Sequence, residues 1–204
     1  VAGSSVAGVF TRSATRSAPV LDCQAKLAAF KVSDKPIAVL VNSGNSNAFT
    51  GGAGRASVNA ICDAVASVVG TDVANVYTAS TGVIGEPLPH DRIVAQIQTL
   101  NANLSEDGAK GAAHAIMTTD TFAKGAAVSI NIDGEAVEIV GFAKGSGMIA
   151  PDMATMLVYI ATDAAVDQDV LQSILSGLNE KTFNAITVDS DTSTSDSLML
   201  VATG

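Results

Sequence analysis

Residues 126–140, AAVSINIDGEAVEIV, decide the fold class. Two β-branched runs, 126–132 and 135–140, flank Asp133–Gly134, the dipeptide that most strongly marks a two-residue hairpin. The pattern continues outward on both sides. Downstream, residues 141–153 read as a glycine-bearing loop, and residues 156–161 as a strand opening directly from it. Val170, Leu171, Ile174, Leu175 and Leu178 then recur at helical spacing, and two further strands are predicted at 185–188 and 198–202. Upstream, residues 37–42 (IAVLVN) read as a short buried strand. A turn-rich loop, residues 43–54 (SGNSNAFTGGAG), follows it, and then a helix carrying Val58, Ile61, Cys62, Val65, Val68 and Val69 on one face. Residues 76–79 predict a strand ending in Ser80–Thr81–Gly82. A further helix begins near Pro89, a residue tolerated in a first turn, with Ile93, Ile97, Leu100 and Leu104 as its stripe. Strands and helices alternate, yet a hairpin interrupts them. The expected fold is therefore a mixed α/β layered structure, not a regular parallel nucleotide-binding sheet.

Composition narrows the functions. The chain has 204 residues, 48% hydrophobic and only 15% charged, so much of its surface has to be hidden within itself or against another chain. A net charge of −9 with no basic cluster argues against nucleic acid. Cys23 and Cys62 have no CxxC spacing, and with only His90 and His114 beside them a Cys/His metal site is not expected. No apolar run approaches the ~20 residues of a membrane span, and no signal peptide is evident, so the cytoplasm is the expected compartment. The chain begins at Val1 rather than Met and ends just after a predicted strand, so it reads as truncated at both ends.

The stretch KGSGMIAPDMATML, residues 144–157, carries the chemistry. One cation, Lys144, sits in a flexible loop that delivers Thr155 to the start of a buried strand. A hydroxyl there can attack the carbonyl of the small residue before it, Ala154. If the Ala154–Thr155 bond breaks through an N-to-O acyl shift, Thr155 becomes a new N-terminus. Its α-amine, with an ordinary pKa near 8, then serves as the base for its own hydroxyl without any histidine. The plainer alternative is a strand-entry threonine that only bonds its local backbone.

Other segments have chemical readings of their own. Thr81–Gly82 can present a hydroxyl and a backbone N–H side by side, the two donors an oxyanion needs, or can be a simple strand-to-turn transition. Thr118 and Thr119 place hydroxyls next to Asp120. Asp189, Asp191 and Asp196 have loose Ca²⁺-like spacing but lack the loop glycine and terminal Glu, so a turn-rich segment lining the site is the better reading. Residues 43–54 could cradle a phosphate at a helix start, but they carry neither GK[ST] nor GxGxxG. His114 reads as structural or exposed.

Six blocks in order resemble the bifunctional ornithine acetyltransferase family. KGSGMIAPDMATML is similar to its cleavage site, where the protein itself breaks the bond before the threonine. VFTRSATRSAPV (9–20) departs from the family at Ser13, where Asn is usual, and VNSGNSNAFTG (41–51) at Ser46, where Ala is common. STGVIGEPLP (80–89), HAIMTTDTFAK (114–124) and VDSDTSTSDS (188–197) complete the set. The resemblance implies an α/β sandwich of sheets between helices, of the type shared with N-terminal-nucleophile aminopeptidases. On that resemblance residues 1–204 are expected to form one incomplete catalytic region, with 1–154 as its α-chain part and 155–204 the start of its β-chain, the two assembling as a hetero-oligomer. It further implies Thr155 as nucleophile, Thr81 and Gly82 as the oxyanion hole, and Thr118, Lys144 and Thr155 as substrate contacts.

The implied substrates are N-acetylornithine and glutamate, with acetyl-CoA a donor in some members, and no cofactor or metal. The family's remaining contacts lie beyond Gly204. Two rival readings remain: an aminopeptidase or amidohydrolase that gives its acyl group to water, and an uncleaved scaffold with no activity.

Overall fold

The computed structural model describes residues 1–149 and 156–204. Its hairpin forms where the dipeptide predicts it. β4 (Lys124–Ile132) and β5 (Glu135–Lys144) pair with Ile132 opposite Glu135. Asp133 and Gly134 both take positive φ, 53° and 95°, the left-handed geometry that a tight two-residue turn imposes. β5 continues to Lys144, four residues into the segment expected to be loop, because β6 (Leu157–Thr162) pairs along it with Lys144 opposite Leu157.

β7 (Ser197–Ala202) runs parallel to β6, and β1 (Ser5–Phe10) is antiparallel to β7. The five-stranded sheet is therefore ordered β1-β7-β6-β5-β4. A separate parallel pair joins β2 (Ala38–Asn45) and β3 (Val76–Val83).

Side-chain alternation separates the two faces of the large sheet. Val6, Phe10, Leu157, Tyr159 and Met199 point inward to Tyr77 and Ala79 of β3 and to Val20 and Cys23 of α1 (Ala18–Ala29). Ala7, Val158, Leu198 and Ala202 point the other way, onto Leu171 and Leu175 of α6 (Gln168–Asn179). The Asp167 carboxylate caps the start of α6, accepting from the N–H groups of Asp169 and Val170. Beyond the β2–β3 pair, Val58, Ile61, Cys62 and Val65 of α2 (Gly51–Val69) pack on Val76. The layers thus run helix, sheet, sheet, helix: the mixed α/β layering that the hairpin and its flanking elements predict, in the sandwich form that the resemblance implies.

Several expectations need correction. The helix expected from Pro89 is two short ones, α3 (His90–Val94) and α4 (Ile97–Ala102). The ladder tightens where Gln96 N–H bonds Ile93 instead of the residue four back, and of the predicted stripe Leu100 and Leu104 stay exposed. The loop at 43–54 shrinks to residues 46–50, since β2 and α2 extend into it from either side. No strand forms at 185–188: a 3-10 turn (Phe183–Ala185) precedes it, and the N–H groups of Val188, Asp189 and Ser190 all turn to the Ile149 carbonyl. β1, α1 and α5 (Ala109–Ala115) were not expected at all. No helix among the described residues is long and apolar enough to cross a membrane.

Candidate active site

The C-terminal ends of β2, β3 and β5 open onto one cleft of about 760 Å³. Parallel pairing brings Ser43–Gly44 of β2 level with Thr81–Gly82 of β3. Asn45 pairs with both Thr81 and Val83, a bulge that splays the strand ends. Gly82 has φ 128°, and a Cβ there would sit 2.6 Å from the Asn45 nitrogen and against the Gly44 backbone as well. Only glycine permits that approach. Thr81 is buried, yet among the described residues nothing takes up its hydroxyl. It lines the cleft beside Gly82.

Thr118 and Lys144 form the facing wall. Ser43 Oγ donates to the Ala115 carbonyl at 2.7 Å and ties the end of α5, and so the threonines after it, to β2. Lys144 Nζ donates to Thr118 Oγ1 at 3.4 Å. Lys144 is only 3% exposed. Burial depresses its pKa, and the attraction of Asp120 and Asp196 recovers only part of the loss.

Asp120 ties the two segments of this wall together: Oδ1 accepts from Gly145 N–H at 2.8 Å and Oδ2 from Thr118 N–H at 3.4 Å. Burial opposes its ionisation. The Lys124 ammonium at 2.5 Å and these N–H groups outweigh that, and its pKa is lowered.

The remaining wall is the hydroxyl-rich run before β7. Ser193 and Thr194 line the cleft, and the run is sewn to residues after β1. Thr11 Oγ1 donates to the Ser193 carbonyl, Thr11 N–H to that of Asp196, and Ser17 N–H to that of Thr194. The segments 9–20 and 188–197 thus meet.

Asp189 and Asp196 do not converge as a metal pair would. Asp189 accepts from the N–H groups of Met148 and Ile149, at 2.6 and 2.7 Å. Asp196 is 1% exposed and accepts from Met156 N–H at 3.0 Å. Sequence reasoning missed this buried carboxylate and saw only its spacing. Its neighbours Ser195 and Ser197, also buried, gave no hint that residues 193–197 are internal while 188–192 stay exposed.

Burial pushes the Asp196 carboxyl up to about 8, against the Ser193 hydroxyl, the Met156 N–H and Lys144, which all favour the charged form. The Ser193 hydroxyl is near, but Oδ2 is left without a well-formed hydrogen bond among the described residues. A carboxyl near 4 when unfolded and about 8 when folded stabilises the fold below pH ~4 and loses that contribution as pH rises to about 8. D196N removes the effect. Its unfolding free energy should gain on that of the wild type between pH 5 and pH 8, by on the order of a few kcal/mol, read as a growing lead in denaturation midpoint. A midpoint difference that does not change with pH contradicts this.

Thr155 and the Ala154–Thr155 bond lie outside the described residues. Met156, the next residue, is buried and leads into β6 beside Lys144. His114 is exposed. A smaller hollow of about 190 Å³ between the starts of α1 and α2, lined by Arg16 and Arg55, includes none of the predicted site residues.

Residues 2–204 match the ArgJ family. The arginine biosynthesis bifunctional protein ArgJ of Ruegeria pomeroyi is 67% identical over 202 residues, 99% of this chain and 49% of that protein. The chain spans about half the length of the curated relatives it matches. Among solved structures, the arginine biosynthesis bifunctional protein argJ from Bacillus halodurans superposes with a TM-score of 0.61 at 28% identity, over 76% of this chain and 91% of that one. Ornithine acetyltransferase complexed with ornithine from Mycobacterium tuberculosis gives 0.56 at 30% identity, over 74% and 92%.

Proposed function

This chain belongs to the ArgJ family, and on that premise we propose that it carries the nucleophile, the oxyanion donors and part of the substrate pocket of an acetyltransferase of arginine biosynthesis. The protein cuts itself between Ala154 and Thr155. Residues 1–154 and the piece beginning at Thr155 stay assembled and act in the cytoplasm.

The freed Thr155 α-amine takes the hydroxyl proton as Oγ attacks the acetyl carbonyl of N-acetylornithine. Thr81 Oγ1 and Gly82 N–H receive the oxyanion. Collapse expels the ornithine amine, which takes up the proton and leaves acetyl-Thr155. The amine of glutamate then attacks this ester, giving N-acetylglutamate and the free hydroxyl. Lys144 and Thr118 hold the amino-acid portion, with the lysine a charged partner for a carboxylate. Acyl transfer of this kind calls on no cofactor.

One observation carries the reading: Thr81, Gly82, Thr118 and Lys144, from three separate segments, line a single cleft, and β6, which begins two residues after Thr155, is paired with Lys144 at that end. A strand-entry threonine without a catalytic task would call for no such company. The ornithine in the Mycobacterium tuberculosis enzyme's crystal favours an amino-acid substrate.

The test offers acetyl-enzyme, formed from N-acetylornithine, a choice of glutamate, ornithine or water. Glutamate and ornithine should discharge it at least about tenfold faster than water. Water as the preferred acceptor, with peptides as better acyl donors, would make the protein a hydrolase instead.

A further inference from the structure

Asp196 belongs to none of the roles above, yet it is among the most deeply buried polar side chains of the chain. Its surroundings explain what it does. β6 and β7 are parallel, with Leu157 opposite Ser197. One residue earlier, the Met156 carbonyl accepts from Ser197 N–H at 3.1 Å. The ladder offers Met156 N–H no main-chain acceptor, and the Asp196 side chain supplies one at 3.0 Å. Asp196 is itself anchored, because its carbonyl accepts from Thr11 N–H at 3.1 Å on the β1 side. Met156 is thus held through both its N–H and its carbonyl by the residue pair Asp196–Ser197, which Thr11 anchors in turn.

We propose that Asp196 is a positioning residue for the nucleophile, acting through its hydrogen bond to Met156 N–H. The inference rests on the reading of Thr155 as nucleophile. A peptide unit is planar, so an N–H held in a fixed direction also fixes the plane that joins Met156 to the residue before it. Misplacing a reacting group by about 1 Å can cost about 10²-fold in rate.

The acceptor, not the charge, is what the geometry uses. Oδ1 makes the bond, while Oδ2 has no well-formed hydrogen bond among the described residues. Lys144 is the charged group that acts on this carboxylate, and it makes no ion pair with it within 4 Å. The upward shift of the carboxyl fits a group that works as a neutral acceptor near pH 7.

Three variants of the complete gene product test this. D196L keeps roughly the volume and removes the acceptor. D196N keeps an acceptor oxygen in place, and D196E keeps the acid but moves its oxygens by one methylene. Turnover is measured per cleaved chain, with cleavage followed by intact mass, and T155A as a parallel control. For D196L, kcat should fall about 10²-fold with KM changed less than about threefold. D196N should recover to within about tenfold of the wild type, and D196E should remain slower than D196N.

If D196L does not fold, the order of D196N above D196E decides the matter. An amide variant slower than the glutamate variant overturns the proposal, because charge would then matter more than position. Equal, wild-type turnover in D196N and D196E overturns it too, as does a loss confined to KM. Should T155A itself keep transferring acetyl groups, the nucleophile reading has failed and Asp196 has nothing to position. Should T155A be inactive while the Asp196 variants run at full speed, only the positioning role is lost.

Discussion

Replacing Thr155 with alanine should leave the complete gene product in one piece and without acetyl transfer. On the proposed mechanism two separate events depend on that one side chain, and both should stop. On the proposed mechanism the hydroxyl attacks the Ala154 carbonyl, so without it no acyl shift is expected and intact-mass analysis should show a single species. In the wild type it should show two, one ending at Ala154 and one beginning at Thr155. The same hydroxyl is proposed to carry the acetyl group later, so turnover should fall by on the order of 10⁴-fold or more, as loss of a covalent nucleophile does elsewhere. The fold should stay in place, because alanine creates no buried unpaired polar group. A T155A protein that is still cut at 154–155, or that still makes N-acetylglutamate at a tenth of the wild-type rate, would remove the nucleophile from the account. So would a wild-type protein that remains whole while fully active.

T81A should cost about 10²–10³-fold in kcat, the usual loss for one oxyanion donor, with KM and thermal stability close to wild type. The case for a large catalytic effect and a small structural one is made by its surroundings. Thr81 Oγ1 bonds nothing among the described residues, whereas the neighbouring hydroxyls are committed: Ser80 donates to Asn42 Oδ1 at 2.6 Å, and Ser46 to the Val83 carbonyl at 2.8 Å. Deleting the Thr81 hydroxyl therefore orphans no partner. T81S, which retains the donor, should recover most of the activity. If T81A turned over like the wild type while folding normally, the oxyanion would have to be received elsewhere. If it instead unfolded, Thr81 would belong to the scaffold.

How much of this was legible beforehand depends on distance along the chain. The hairpin was readable because Asp133–Gly134 is a local signal and its pairing is local. α2 was readable because Val58, Ile61, Cys62 and Val65 repeat at helical spacing and all reach the same layer. α1 was missed, although Pro19 at its start is a helix signal and Val20 and Cys23 on its buried face join the core. β1 was missed for another reason: Gly8 interrupts its pattern, and its partner β7 lies almost two hundred residues away.

Residues 185–188 looked like a strand, yet Ile186 N–H bonds the Phe183 carbonyl and Val188 N–H the Ile149 carbonyl, and neither pairs with a neighbouring strand. The candidate site was named by motif, but its assembly was not visible. Nothing local says that Thr81, Thr118 and Lys144 share one cleft, since long-range strand pairing decides that. Nor does anything local say that Asp196 is internal: a run of Asp, Ser and Thr normally marks solvated turn, and here its second half, residues 193–197, is sealed under residues 9–20.

The order β1-β7-β6-β5-β4 places strands from after residue 154 between strands from before it. Severing the chain at 154–155 would therefore yield two intercalated polypeptides, with the β6–β7 pair of the second enclosed between β1 and β5 of the first. Neither can diffuse away without tearing open a five-stranded sheet, so scission releases an end and no subunit. It also follows that the sheet has to close while the polypeptide is continuous. Inserting β6 and β7 between β1 and β5 is a unimolecular event on one thread and a concentration-dependent encounter on two. On the proposed mechanism the break would be a finishing step, imposed on a protein that has already reached its native topology.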